Sequence, residues 1–562
     1  MIASNMEGSQ IKTANFKISR DLLYGDIRIP TEYIKYIIDT SQFQLLDWRR
    51  QLGTAHMIYR NAHHTRFEHS LGVFELARRF YASINSNERI AYFAIKPEHL
   101  KVDTQVMNIP RFNDSNLLFV ASLIHDIGNY PYCHQLERSM ALNMPNHEQL
   151  GSLIIRQAFK QVQFLGDDEL TKLGLAEKRD SLADIINTKA KTNSLSPVEV
   201  FIRNVISGPY GLDFLDYIYR DSFYCGFSTR TAADFLLDHA VILFNPSNNS
   251  YEMGFTYHVL HELVSLAHLR LDMERKVYSN KTHKIITEML AQAVRLALED
   301  ARLNLNDICS FTDESLLEQL KLSRGRKLVE LIRCRKLHEV VYRFDAFKPD
   351  VNPILRQALK VFGFQQIEDL RKRILEEIMD HGIDEEDVLL SFPHPEERTC
   401  KEGDILILME SGEVRRLNTI DPWIAKYESE YQSMRKYLVL VSKNALDKVG
   451  DKVKRILQNS FPNCVLEIYG ITELSPQTIK ERLQMLSDVQ IEILKLLVDK
   501  AMTAEELGLK VGRKSRGTIL YHLKRLLGEG FVTKERRGKE VVFKVNPQYL
   551  PYISENERVF KQ

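Results

Sequence analysis

The chain has 562 residues, 44% hydrophobic and 27% charged, with a net charge of +1. That length exceeds what one hydrophobic core organises, so two to four domains are expected. The near-zero charge excludes a whole-molecule polyelectrolyte partner for nucleic acid, and any basic function is local. Six scattered cysteines with no CxxC pair exclude a zinc ribbon and a disulfide framework, and predict reduced thiols. The N-terminal stretch lacks an apolar signal segment and no apolar run is long enough to span a bilayer, so a cytoplasmic protein without membrane contact is expected.

Residues 1–18 read as a loose polar arm. From 19 to 385 apolar residues recur at three- and four-residue spacing and strand alternation is scarce, which predicts a mainly helical core. Phe67, Leu71, Phe74 and Leu76 fall near one helical face, and HHTRFEHSLG places His69 in the same pattern. Later, NLLFVASLIHDIGNYPYCH drives an apolar helix into the core and ends it on His125 and Asp126, with Gly128 expected to let the chain leave the helix. GLDFLDYIYRDSF reads as a helix with Asp213, Tyr217 and Asp221 on one face. Two imidazoles and two carboxylates, from His69, His125, Asp126 and Asp213, suit a divalent transition metal such as Mn, Fe, Ni or Zn. Such a set leaves positions for water and a phosphate oxygen, and supports hydrolysis near neutral pH. A lone His-Asp pair is more often a local hydrogen bond; RFEHS, LIHDIG and a later Asp together are far more specific.

The texture changes near Pro393-His394-Pro395. The β-rich runs GDILILME, YLVLVS and CVLEIYG around the helical KNALDKVGDKVKRILQNSF predict a small α/β lobe over 386–482. In 483–562, DVQIEILKLLVDK, TAEELGLKV and RKSRGTILYHLKRLLGEG read as three helices, the second capped by Thr503 with Glu506, the third closed by Gly530. FVTKERRGKEVVFKV then reads as a hairpin turning at Arg537-Gly538, which completes a winged helix-turn-helix. Its cations Arg513, Lys514, Arg516, Lys524, Arg525, Lys534, Arg536, Arg537 and Lys539 face only Glu529 and Glu535, which suits DNA or RNA phosphates, with Ser515, Thr518 and Tyr521 toward bases. Protein docking is the alternative use of such a unit. The basic run SRGRKLVELIRCRKLHEVVYRF reads as a solvated helix face, with a nucleotide site between subunits as the alternative.

The motifs of residues 19–345 resemble the HD superfamily and, within it, the SAM-and-HD-domain deoxynucleoside triphosphate triphosphohydrolases. The likeness runs through DLLYGDIRIP, IIDTSQFQLLDWRRQLG, HHTRFEHSLGV, LIHDIGNYPYCH, NHEQLGS, DFLDYIYRD and ERKVYSNK, and continues more weakly into the α/β lobe. It implies His69, His125, Asp126 and Asp213 as metal ligands, Mg accompanying the triphosphate, and a homo-oligomer. It implies Gln51 and Leu52 beside the deoxyribose, Arg66, Lys281 and Arg270 toward the triphosphate, and Tyr217, Asp221 and Tyr278 along the sugar and base. His134 and His147 match histidines near the scissile phosphate, with Glu137 as acidic partner of His134. Independently, a triphosphate needs cationic clamps and the leaving 5′-oxygen needs a proton, which a carboxylate-oriented histidine supplies; His134 and Glu137 are in reach of each other if their segment is helical. The chain departs from the family at Asn129, where many members carry a histidine, and at Asp47, which replaces the arginine of a guanine-reading activator site while Asp39 and Gln44 match. Asn cannot transfer a proton at neutral pH. These departures leave two alternatives: an HD-type nuclease or phosphodiesterase, and a nucleotide-sensing DNA-binding regulator.

Overall fold

The computed structural model describes residues 16–86, 92–96, 101–103, 114–139, 142, 144–159, 162–227, 233–246, 249–344, 369, 371–372, 374–376, 383–392, 402–434, 437–443, 445, 448, 467–468, 486–512, 515–528, 531–537 and 540–545. The chain divides into two units, Met1–Glu339 with Lys360–Ala445, and Val340–Leu359 with Leu446–Gln562.

In the first unit the expected apolar periodicity becomes a helical core. The helix Arg66–Ser86 buries Leu71, Val73, Phe74, Leu76, Ala77 and Phe80, while Phe67 is half-buried against the Phe43 ring. It packs against Ser115–Ile124, whose first turn is capped by Asp114 accepting the Leu117 N–H (3.1 Å), and against Leu212–Tyr224. The His-Asp pair leaves the buried end of Ser115–Ile124. Gly128 is needed there for a different reason than expected: it does not take the left-handed conformation. A Cβ on it would lie 2.2 Å from the Gly151 nitrogen and the His147 oxygen, so the chain beyond Asp126 presses on the start of the helix His147–Ile155.

The helical reading of 19–385 overlooks strands. Phe16–Asp21 and Gly25–Pro30 form an antiparallel hairpin, with Gly25 at φ +74° in the turn. Ala240–Asn245 pairs antiparallel with Ser250–Thr256. Its run AVILF is apolar throughout, and periodicity cannot distinguish a buried strand from a buried helix in so short a run. These two strands lie in a sheet ordered Val414–Arg416, Leu406–Leu408, Ser250–Thr256, Ala240–Asn245, Tyr92–Lys96, Lys101–Asp103. The run GDILILME thus joins the core sheet, parallel to Ser250–Thr256, whereas YLVLVS pairs with Val388–Ser391. Residues 1–15 of the expected arm, Pro393-His394-Pro395, nearly all of KNALDKVGDKVKRILQNSF and most of CVLEIYG lie outside the described residues. Among the described residues no helix is long and apolar enough to cross a membrane.

In the second unit Glu467–Ile468 pairs antiparallel with Tyr342 and Arg343. Its C-terminal part contains the helices Asp488–Asp499, Ala504–Lys510 and Arg516–Gly528 and a sheet ordered Met502–Thr503, Glu540–Val545, Val532–Arg537. Thr503 accepts the Glu506 N–H (3.2 Å) and Glu506 accepts the Thr503 N–H (2.7 Å), the expected capping box. The hairpin register closes at Arg537↔Glu540. Ile493, Leu497, Leu507, Ile519, Leu523, Phe531 and Phe543 are buried in one core.

Candidate active site

Three separated segments bring the expected ligands together. His69 Nε2 lies 3.1 Å from His125 Nε2 and 3.2 Å from Asp213 Oδ1. Asp126 Oδ2 is 3.6 Å from His69 Nε2, and its Oδ1 is 3.8 Å from His125 Nε2. Each imidazole is oriented from behind. His69 Nδ1 donates to Asp216 Oδ2 (2.7 Å) and His125 Nδ1 to the Ser122 carbonyl (2.8 Å). Both Nε2 lone pairs therefore converge, and two acceptors so close repel unless a proton or a cation lies between them. Burial opposes charge on His69, but Asp213 and Asp216 hold it up at about 10. Burial likewise opposes ionisation of Asp126, which Arg66 and the neighbouring histidines nevertheless keep well below the carboxylate range. Strong attraction for positive charge at the meeting point of two imidazoles and two carboxylates is what a divalent cation requires, so the donor set fits one.

The helix His134–Arg138 presents a second cluster. His134 Nδ1 (3.3 Å) and His147 Nδ1 (2.9 Å) both donate to Glu137 Oε2. Burial works against the charge of Glu137, but His147 and His134 hold it far below the usual range. His147 Nε2 lies 3.7 Å from Asp126 Oδ1, so the clusters adjoin. Arg66 is buried and donates to Asp126 Oδ2 (2.6 Å), the Gln51 carbonyl (3.2 Å) and Cys133 Sγ (3.1 Å). It braces a candidate ligand where the resemblance has a cation facing phosphate. Asn129 is also buried, and its Nδ2 donates to the Asp126 carbonyl (3.1 Å).

The residues expected around the sugar also meet. Asp221 accepts from His64 Nε2 (2.7 Å) and from the Tyr278 hydroxyl (2.8 Å), and the His64 carbonyl accepts the Gln51 N–H (2.9 Å). Gln51 and Leu52 are buried, and Gln51 Oε1 has no hydrogen-bond partner. Tyr217 is half-buried on the same helix as Asp213, its ring 5.5 Å from Phe214. Lys281 is exposed on the first turn of Lys281–Glu299. Arg270 pairs with the buried Glu402 and lies over the Phe214 ring at 5.4 Å. At the expected activator position Gln44 Nε2 donates to the Ile38 carbonyl (2.9 Å), and Asp47 accepts from the Thr65 hydroxyl (3.4 Å).

Sequence reasoning missed the supports. Asp216 binds both His69 and Arg220, and Arg220 reaches Asp21 (2.8 Å) across 199 positions. His64 and Gln135 were also passed over. In the basic run, the cations of Arg326–Arg333 are engaged along the surface, Arg326 with Glu330 and Arg333 with Glu318, as a solvated face requires. In the second unit Arg516 and Lys524 lie on Arg516–Gly528, and Arg536 and Arg537 on Val532–Arg537, while Arg513 and Lys514 lie outside the described residues.

Residues 66–192 match the HD domain family and 263–461 the HD associated region. An uncharacterized protein of Methanocaldococcus jannaschii is 25% identical over 448 residues, 79% of this chain and 84% of the relative. The deoxynucleoside triphosphate triphosphohydrolase SAMHD1 homolog of Dictyostelium discoideum is 26% identical over 343 residues, 58% of this chain; the match spans 60% of that relative. A phosphohydrolase structure from Bacteroides thetaiotaomicron shares the fold with TM-score 0.53 at 18% identity, over 76% of this chain and 100% of that one. Residues 66–192 therefore form an HD domain within a helical core, followed by an α/β region.

Proposed function

We propose that this chain is a metal-dependent deoxynucleoside triphosphate triphosphohydrolase, releasing deoxynucleoside and inorganic triphosphate. The observation that carries the reading is the orphaned acceptor of Gln51, buried within one residue's reach of the candidate metal ligands: the Gln51 carbonyl and Asp126 share the Arg66 guanidinium. A sugar hydroxyl satisfies such an acceptor, and a buried acceptor left unmet is costly. The Dictyostelium relative's name points to the same substrate class. His69, His125, Asp126 and Asp213 would hold the cation. When bound, it supplies Lewis acidity and makes a water acidic enough to attack near neutral pH.

The chain's own residues account for the rest. A bond forms between the water oxygen and the α-phosphorus, and the bond from phosphorus to the sugar 5′-oxygen breaks. His134, oriented by Glu137, delivers a proton to that departing oxygen. His147 shares the same carboxylate and lies near Asp126, which supports a role beside the phosphate. Gln51, Leu52, Tyr217, Asp221 and Tyr278 enclose the nucleoside, and Lys281 and Arg270 meet the phosphate tail, with Mg accompanying it. Arg66 and Asn129 act behind Asp126 as braces. Incubation of the purified protein with each deoxynucleoside triphosphate and Mn²⁺ or Mg²⁺ should yield nucleoside and triphosphate in equal amounts, abolished in Asp126→Asn. Absence of both products with every nucleotide and metal overturns the reading.

For the second unit we propose a winged helix that binds DNA or RNA. Its support is the exposure of Thr518 and Tyr521 on the helix that also carries Arg516 and Lys524, and of Ser515 just before it. Arg516→Ala should lower the slope of log affinity against log salt by about one, and failure to retain any nucleic acid at low salt refutes it.

A further inference from the structure

Gln135 follows His134 on the helix His134–Arg138. Its carboxamide contacts two other segments of the first unit, the Leu52–Thr54 loop and the start of Lys281–Glu299. Oε1 accepts from the Thr54 N–H (3.2 Å) and the Thr54 hydroxyl (3.1 Å). Nε2 donates to the Leu52 carbonyl (3.0 Å) and to His283 Nε2. All four positions of the amide are thus used. The reversed amide would set its NH₂ against the Thr54 N–H, so the donors dictate this orientation. His283 completes the chain: its Nδ1 donates to the Val277 carbonyl (3.3 Å), the tautomer that leaves Nε2 as an acceptor. Burial holds the His283 imidazole down at about 4, so it is neutral at pH 7. The loop sits directly on Gln135: Gly53 is left-handed (φ +47°), and a Cβ there would lie 2.7 Å from the carboxamide.

We propose that Gln135 is a positioning residue that latches both walls of the nucleoside pocket, the Gln51–Thr54 loop and the Val277–Lys281 segment, to the helix bearing His134 and Glu137. The inference rests on the reading of those segments as pocket walls. Its consequence is geometric. Gln51, which meets the sugar, and Tyr278, which fixes Asp221, are both referred to the short helix that carries the proton donor. A sugar that seats wrongly against Gln51 then also misplaces its 5′-oxygen from His134. Misplacement of about 1 Å costs on the order of 100-fold in rate, so the latch converts sugar fit into selectivity.

Gln135→Leu fills the space without any of the four bonds, and Thr54→Val removes only the hydroxyl bond, a milder variant that keeps the fold. In Gln135→Leu the ratio of kcat/KM for deoxy- over ribonucleoside triphosphates should fall about tenfold or more, and in Thr54→Val by less, as loss of one modest hydrogen bond implies. Bound metal should change little, while Tm falls in Gln135→Leu, because buried partners lose their bonds, and falls less in Thr54→Val. Hydrogen exchange should quicken about tenfold in peptides covering both 51–54 and 277–283, and stay as it was in Arg66–Ser86. Exchange unchanged in either segment of folded Gln135→Leu overturns the latch. Faster exchange with an unaltered deoxy-to-ribo ratio reduces Gln135 to a structural tie and overturns its positioning role. If the unmodified protein hydrolyses no nucleotide, the reading of the pocket fails, while the exchange experiment still decides the latch.

Discussion

Asp216 offers the sharpest test of how the candidate metal site is built. Its carboxylate is fully buried and accepts three charge-assisted bonds: His69 Nδ1 (2.7 Å), Arg220 Nε (2.9 Å) and Arg220 Nη2 (2.9 Å). Asp216→Asn preserves the volume but supplies one acceptor where two are needed, so its NH₂ confronts a nitrogen donor in either orientation. Removing one partner of a buried ion pair costs about 3–5 kcal/mol. Arg220 keeps Asp21 at 2.8 Å, which moderates the loss to roughly 2–4 kcal/mol. The separate effect is on metal: without its orienting acceptor His69 loses tautomer and direction, and affinity should fall about 10- to 100-fold. Asp21→Asn is the control. It weakens the same arginine from the far side, where Asp21 also accepts the Leu23 and Tyr24 N–H groups, but leaves Asp216 on His69. Urea unfolding and Mn²⁺ titration calorimetry on both variants separate the effects. Asp21→Asn should lose stability and keep its metal, and Asp216→Asn should lose both. Undiminished metal affinity in Asp216→Asn refutes the support role, and an equal loss in Asp21→Asn would show that affinity follows stability alone.

Gly128→Ala forces a Cβ to 2.2 Å from backbone atoms of His147 and Gly151; overpacking of this kind costs about 1–3 kcal/mol. The shift imposed on His147 should lower kcat about 100-fold. Gly517→Ala meets nothing closer than Ser515 Oγ at 3.8 Å and should instead stabilise its helix, both read by thermal melts. His283 carries a pH prediction. Burial lowers its folded value to about 4 from 6.5, so the folded state takes up the proton later than the unfolded one. Its share of stability is whole above pH 6.5, declines as pH falls toward 4 and is constant below, a loss of roughly 3 kcal/mol; His283→Gln should flatten that part of the stability curve relative to the unmodified protein. Mn²⁺ at about 100 times its Kd should raise the unfolding free energy by about 2.7 kcal/mol, and Asp213→Ala should remove most of that gain in the same melt.

What the sequence made legible divides along physical lines. His69, His125, Asp126 and Asp213 are short motifs whose residue types carry their own chemistry, and the described geometry brings both carboxylates within 3.2–3.6 Å of His69 Nε2, itself 3.1 Å from His125 Nε2. His134 and Glu137 come from the resemblance, and helical spacing adds only that they can reach each other, as they do (3.3 Å). Asp216 and Arg220 stand at i and i+4 in the very helix that supplied Asp213, yet nothing local says that Asp216 faces His69 or that Arg220 finds Asp21. Gln135 was invisible for the same reason, since an amide has no preferred partner until the loop and the Lys281–Glu299 helix are packed around it. The strand Ala240–Asn245 was lost because burial on both faces erases alternation.

Asn129 shows why a departure from a family pattern is read best through what surrounds it. Its side chain turns inward, donating to the Asp126 carbonyl, and its own carbonyl receives the guanidinium of Arg49, which also binds the Phe311 carbonyl (2.8 Å). Arg49 is fully buried and rests on carbonyls, with burial pulling its pKa down. Three and four residues beyond Asn129, Tyr132 (φ 57°) and Cys133 (φ 53°) both adopt the left-handed region, at a cost of order 1–3 kcal/mol each. Asp313 accepts the Tyr132 N–H (2.8 Å) and the Arg50 N–H (3.0 Å), and Arg66 donates to Cys133 Sγ. The strained turn delivers His134 directly, so its conformation is over-determined from the Arg49–Gln51 side and from Asp313 together. A histidine at 129 would have to displace this inward packing to face a phosphate. The asparagine therefore belongs to the frame around His134, and in the proposed reaction proton transfer is assigned to the His134, Glu137 and His147 cluster.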